Sequence, residues 1–229
     1  MQINLEIARK VLTAVDAGLV RGVGNPIPGQ MCVEAAVCYA LGLPHGDDPK
    51  CVADSLRRLK IRLNDSNWSS NEARAKGLRR LAVAQLGSAG VLDEREFVRR
   101  VVRLSIQSCV PSALRAAASI CRNEEKKDAM LKAALACEQE PTRENAVKAR
   151  AAAYADADAA AYADAAAAAY AAYAAAYAAA AADADAAAYA YAAAARDKSL
   201  AKFAEDVVQI LIDMKAPGCE WLDITEEAA

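Results

Sequence analysis

Residues 149–195 read ARAAAYADADAAAYADAAAAAYAAYAAAYAAAAADADAAAYAYAAAA, 47 positions where alanine is broken only by tyrosine, aspartate and one arginine. Alanine is the strongest helix former, and neither glycine nor proline interrupts the run, so its local preference is helical from end to end. At about 1.5 Å per residue a single rod would reach roughly 70 Å, longer than a compact domain of this size is wide. A hairpin that bends within 178–185 is equally open, because alanine facing alanine lets two backbones approach closely. At about 100° per residue, Tyr162, Tyr170, Tyr173, Tyr177 and Tyr191 fall in one sector about 80° wide, with the aspartates outside it. Such a helix presents a ribbon of phenols, large amphipathic side chains that lose little entropy on binding, and these five tyrosines are the expected partner-binding residues.

Outward from the tract, the segments keep a helical period. Ile7, Val11, Val15 and Leu19 stand four apart on a first helix that Gly18 ends. Residues 21–30 hold Gly22, Gly24, Pro26, Pro28 and Gly29, too many breakers for a regular element. A short apolar helix over 31–41 is closed by Gly42. Asp48 followed by Pro49 reads as an N-cap with proline in the first turn, opening a helix that carries Val52, Leu56, Leu59 and Leu63 on one face. Ser69 with Glu72, and Asp93 with Glu96, have capping-box spacing or its acidic equivalent. Pro111 breaks or kinks the next helix, Asn123 and Thr142 open two more, and 196–198 interrupts the approach to a final amphipathic stretch that Pro217 and Gly218 stop. No window alternates like a strand. The expectation is an all-α protein of about eight helices: a helical globular domain over 1–140, then an Ala/Tyr/Asp-rich long helix or hairpin with a C-terminal anchoring helix over 141–229.

The net charge of −2 conceals a polarity along the chain. Residues 50–103 hold 13 Lys and Arg against 6 Asp and Glu, whereas 150–229 hold 5 against 13. The two segments can neutralise each other within the fold or an oligomer, or the basic one can meet an external polyanion. Arg79, Arg80, Arg99 and Arg100 are the anion-binding candidates, and nucleic acid is a possible partner. Trp68 offers a poor platform for stacking bases. Seven cysteines, an odd set without repeated spacing and with no leader before them, suggest reduced thiols in the cytoplasm. Aspartates interrupt the alanine run, so no membrane span is expected.

Chemistry, if present, concentrates at 31–51, which holds Cys32, Cys38, Cys51, His45, Asp47 and Asp48. A zinc site has the right ligand types and the wrong spacing, since Cys32 and Cys38 would lie about 120° apart on one helix. Cys32 at a helix N-terminus could be an activated thiol. His45, however, falls beyond the other end of the same helix, and no second histidine exists. Asp47 and Asp48 suit a hard cation, although capping already accounts for Asp48. Cys32, His45 and Asp47 therefore stand as weak active-site candidates, with no cofactor or metal expected. No phosphate-binding glycine motif is present. The tract lacks the threonines and eleven-residue repeat of alanine-rich ice-binding helices.

Gly29-Gln30-Met31-Cys32-Val33-Glu34-Ala35-Ala36, Leu43-Pro44-His45-Gly46-Asp47-Asp48-Pro49, Arg62-Leu63-Asn64-Asp65 and the terminal Pro217-Gly218-Cys219-Glu220-Trp221-Leu222 resemble an uncharacterised family of bacterial and phage proteins with a variable Ala-rich tract. That resemblance implies similarity over most of the chain and an accessory role toward a host, and transfers no activity, cofactor or catalytic residue. The expected function is a non-enzymatic interaction protein, engaging a protein partner or a second copy of itself through the Ala/Tyr helix, as a phage accessory or anti-defence factor. Binding of nucleic acid or a small anion by the basic helices is the first alternative, and an enzyme site at 32–48 the second.

Overall fold

The computed structural model describes residues 3–154 and 186–226. Among them every regular element is helical. Nine α-helices follow one another: α1 Leu5–Asp16, α2 Val33–Ala40, α3 Asp54–Asn64, α4 Asn71–Ala84, α5 Glu94–Leu104, α6 Val110–Ile120, α7 Glu124–Gln139, α8 Arg143–Tyr154 and α9 Ala186–Asp213. A 3₁₀ segment, Pro217–Thr225, ends the described chain. Extended pairing is limited, among the described residues, to an isolated bridge between Gly24 and Met31. The all-α expectation holds, with a count close to eight. Tyr162, Tyr170, Tyr173, Tyr177 and the choice between rod and hairpin lie outside the described residues, while Tyr191 falls within α9.

Several starts follow from local capping. Asn4 Oδ1 accepts the Ile7 N–H at 3.0 Å, Asp93 Oδ1 that of Glu96 at 3.0 Å, Asn123 Oδ1 that of Lys126 at 3.0 Å, and Thr142 Oγ1 that of Asn145 at 3.2 Å. Each satisfies a first-turn donor that has no partner inside its helix. Two expected starts are displaced. Ser70, rather than Ser69, caps α4 by accepting from Ala73 N–H at 3.1 Å. Asp48 and Pro49 do not open α3, which begins five residues later at Asp54. The donors there are met from a distant stretch of chain: Ser88 Oγ accepts from Ala53 N–H at 2.9 Å and Glu94 Oε2 from Ser55 N–H at 2.7 Å.

Two interruptions expected from the sequence do not end their helices. The helix does not break at Pro111. It passes from α5 through a π-helical turn, Ser105–Cys109, into α6. Val110 N–H bonds to the Ser105 carbonyl, five residues back, and this widened turn accommodates a proline that has no N–H for a carbonyl four residues back. Likewise α9 continues through 196–198 as one helix of 28 residues.

The chain divides into two compact units, residues 1–99 with 201–229, and residues 100–200. This division differs from a boundary at residue 140, because the core of each unit draws on helices from both sides of that point. In the first unit Val11 and Val15 of α1, Val33 and Val37 of α2, Leu78 and Leu81 of α4, and Val207 and Leu211 of α9 are all buried. The 3₁₀ segment lies on α4. A Cβ added to Gly218 would stand 2.4 Å from the Val83 carbonyl oxygen, an approach only glycine permits. The second unit packs α6, α7 and α8 around Ile106, Leu114, Ala118, Met130, Ala134, Cys137, Ala149 and Ala153.

Candidate functional site

The glycine-rich run between α1 and α2 folds back on itself instead of wandering. Val20 N–H bonds to the Met31 carbonyl at 2.9 Å, Asn25 N–H to Gln30 at 2.7 Å and Cys32 N–H to Val23 at 3.1 Å. Gly24 makes that closure possible. Its φ is 71°, and a Cβ there would sit 2.0 Å from the Gln30 carbonyl oxygen. Asn64, buried at the end of α3, holds the loop by accepting from Val33 N–H at 3.2 Å and donating to the Val20 carbonyl at 2.9 Å. Asp65 accepts from Gly22 N–H at 2.8 Å and from Asn64 Nδ2 at 3.0 Å. His45 Nε2 stands 2.9 Å from the Gly24 carbonyl, which can only accept, so that nitrogen carries the proton. Arg74 completes the frame with bonds to the carbonyls of Asn64 at 2.7 Å and Leu19 at 2.9 Å. Three of the motif stretches, far apart in sequence, thus meet at one loop.

Beneath it lies a cavity of about 90 Å³. The polar residues Glu34, Asp47, Asn64, Asp65 and Cys32 and the apolar residues Val23, Val33 and Ile61 surround it. Glu34 sits in the first turn of α2, where the amide dipoles favour a negative charge. It is 0% exposed, and so is Lys60 of α3, whose Nζ lies 3.3 Å from Glu34 Oε1. The approach is that of an ion pair with poor hydrogen-bond alignment. Burial pushes the Glu34 pKa up, opposed by the Lys60 ammonium and more weakly by Arg57, while Asp47 adds to the rise. Burial pushes Lys60 down, opposed by Glu34.

Glu34 and Lys60 were not among the residues singled out from the sequence. The signal was there: Glu34 is the one charge in the apolar run 31–38, and Lys60 falls four residues after Leu56 on the buried stripe of α3. Opposite charges inside two apolar stripes imply each other, because neither can be buried alone.

The expected site residues separate. Cys32 and Asp47 line the cavity, and His45 does not, being exposed and bonded to the loop above. The surroundings of Cys32 do not favour a thiolate. Its Sγ serves as the N-cap of α2, 3.3 Å from Ala35 N–H, and burial raises its pKa beyond what the Ala35 and Glu34 amides can offset. Burial likewise raises Cys38 to about 11. Among the described residues no group of three or more His, Cys, Asp or Glu side chains is placed to hold a metal ion.

The basic candidates are engaged by acidic groups of the fold. Arg79 grips Asp16 with two bonds of 2.7 and 3.0 Å and also bonds to the Thr225 carbonyl. Arg80 reaches Glu205 at 3.1 Å and Glu226 at 3.2 Å. Arg99 pairs with Glu96 on its own helix, and Arg100 also has a partner. Trp68 offers no stacking face either, being buried with its Nε1–H on the Leu63 carbonyl at 2.9 Å. In the first unit, positive α4 answers the acidic C-terminal stretch.

The second unit presents a different surface. Leu131 and Leu135, one turn apart on α7, are 40% and 49% exposed, and Val147 on α8 is 59% exposed. No helix among the described residues is long and apolar enough to cross a membrane. Among the described residues the fold is all-helical, with a small cavity surrounded by acidic residues and exposed apolar side chains on α7 and α8. No family model matches the chain, and no curated protein or solved structure is significantly similar to it.

Proposed function

We propose that this is a non-enzymatic interaction protein, working in the cytoplasm as a phage or bacterial accessory factor, which engages another polypeptide through its Ala/Tyr-rich region and the helices leading into it. The observation that carries the reading is the exposure of Leu131, Leu135 and Val147 on α7 and α8, the helices that deliver the chain to the tract. A pair of leucines one turn apart on a helix is the kind of anchor a partner helix covers. The partner is a host protein or a second copy of this chain. The basic residues give less support to a polyanion as partner, since Arg79 and Arg80 are already held by Asp16, Glu205 and Glu226.

Light scattering coupled to size exclusion separates the two partners. Self-association gives a mass at micromolar concentration well above 24.1 kDa, falling to the monomer when Leu131 and Leu135 are both changed to Lys. A monomer throughout leaves a heterologous partner, sought by affinity capture from the host with the full chain, the double-Lys variant and a chain lacking 155–185. Equal capture by all three removes the proposal.

A further inference from the structure

α5 carries more apolar surface than its own packing uses. Its inward side is Phe97, which is buried, with Val101 and Leu104 half-buried beside it. Val98 and Val102, four residues apart, lie roughly 110° round the helix from that side at about 100° per residue, and they stand 46% and 51% exposed. Arg95, Arg99 and Arg103 fill the sector next to the valines, roughly 80° wide, and all three are exposed. Arg99 pairs with Glu96 along the helix, a surface contact that contributes little. Among the described residues Arg95 and Arg103 make no hydrogen bond or ion pair. Glu94, on the far side of the valines, is engaged by the Ser55 N–H at 2.7 Å. The exposed shoulder of α5 is thus an aliphatic stripe with a cationic flank, three guanidinium groups against the one carboxylate of Glu96.

We infer that this shoulder is a docking surface for an acidic amphipathic helix of another protein, one with a short apolar stripe and carboxylates four residues apart along its flank. Charge and register both select that occupant. Four residues of helix rise about 6 Å, so the valines and the arginines repeat at the same interval as the matching side chains of a second helix laid alongside. Carboxylates supply the acceptors that Arg95 and Arg103 lack, in the charge-assisted geometry guanidinium groups favour. The apolar stripe of the incoming helix covers Val98 and Val102. A phosphate backbone would satisfy the arginines and leave the valines in water. A lipid surface needs a broader apolar face, built from leucine, phenylalanine or tryptophan, than two valines provide. Because α5 is already folded on its inward side, docking requires no ordering of its backbone. The surface shares no residue with Leu131, Leu135 and Val147.

The full-length protein is titrated, with fluorescence anisotropy as the readout, against a labelled, side-chain-stapled helical peptide that carries leucines four residues apart flanked by glutamates, and against its glutamine and lysine counterparts. Saturable binding of the glutamate peptide is expected, with the glutamine peptide weaker by about tenfold and added salt narrowing the difference. Arg95→Glu with Arg103→Glu should reverse the preference in favour of the lysine peptide. Val98→Ser with Val102→Ser should weaken all three peptides alike. Leu131→Lys with Leu135→Lys should leave the affinity for the glutamate peptide unchanged, which separates a failure here from a failure of the α7 surface. Absence of saturable binding, or a glutamate preference that survives the arginine reversal, would overturn the proposal. So would tighter binding of phosphatidylglycerol vesicles or of a single-stranded oligonucleotide than of the glutamate peptide, or a folded valine variant of unchanged affinity. If the valine variant does not fold, the arginine reversal decides alone.

Discussion

At the scale of single residues, the pair of Glu34 and Lys60 carries a large electrostatic cost, both side chains being fully buried. Two ions brought fully out of water each lose several kcal/mol of solvation, which their attraction at 3.3 Å returns only in part when no aligned hydrogen bonds assist. Lys60→Met should therefore destabilise the protein by about 3–5 kcal/mol, since it strands Glu34, whereas Lys60→Met with Glu34→Leu should be close to neutral or stabilising. Urea unfolding of the two single variants and the double completes the cycle, and additive single effects would show that the pair is not coupled. The pH dependence of Lys60→Met has a definite sign. Burial already raises the Glu34 pKa, and losing the ammonium that opposes this raises it further. A raised carboxyl is protonated in both states below its unfolded value, so the deficit is smallest in acid. It grows as pH climbs from the unfolded value through the folded one. Unfolding midpoints at pH 5 and pH 8 test this, and a deficit that shrinks toward pH 8 contradicts it.

At the scale of elements, the contrast between near and remote caps explains what local reading can reach. Asp93, Asn123 and Thr142 were legible because each bonds a backbone donor three residues away, and Asn4, which was not singled out, is of the same kind. The start of α3 was not, because Ser88 and Glu94 reach it from 35 and 39 residues on, and no local window contains both ends of those bonds. Asp48 and Pro49 looked like a cap only by spacing. Ser88→Ala should leave the buried Ala53 N–H without an acceptor and cost about 1–3 kcal/mol. Asp48→Ala, which loses only its surface pairs with Lys50 and Arg57, should leave the thermal midpoint nearly unmoved. The reverse order would restore Asp48 as the cap. The cavity was legible as a region, since Cys32 and Asp47 lie on it, but its buried charges required the pairing of α2 with α3. A second packing contact has the same character. Glycine to alanine inside a helix ordinarily adds about 1 kcal/mol. At Gly77 the new Cβ would stand 2.3 Å from the Trp68 ring, which its Nε1–H bond to Leu63 holds in place. Overpacking costs about 1–3 kcal/mol, so Gly77→Ala should lower the unfolding midpoint.

At the scale of the whole molecule, the two units differ in what fills them. The first unit buries branched and long side chains from α1, α2, α3, α4 and α9, among them Leu56, Leu78 and Leu211 with no exposed surface. The second relies on Ala118, Ala134, Ala149 and Ala153 for half of its eight-residue core. At about 25 cal/mol per Å² of apolar surface removed from water, an alanine methyl contributes far less than a leucine, so the second unit should open first. Cysteines report each unit separately. Cys32 and Cys38 are buried in the first and Cys137 in the second, and burial raises the pKa of all three thiols, which suppresses the reactive thiolate while the fold is intact. Pulsed alkylation across a urea series, followed by peptide mass analysis, should modify Cys137 at a lower denaturant concentration than Cys32 and Cys38. Partly exposed Cys109 and Cys121 should react earliest, in the folded state. One shared midpoint for Cys32, Cys38 and Cys137 would mean that the units unfold as one cooperative body, with α5 and α9, which run across both unit boundaries, transmitting the loss of one core to the other. Two midpoints would mean that the alanine-rich unit samples open states while the cavity around Glu34 stays intact, the behaviour expected of a surface that orders against a partner.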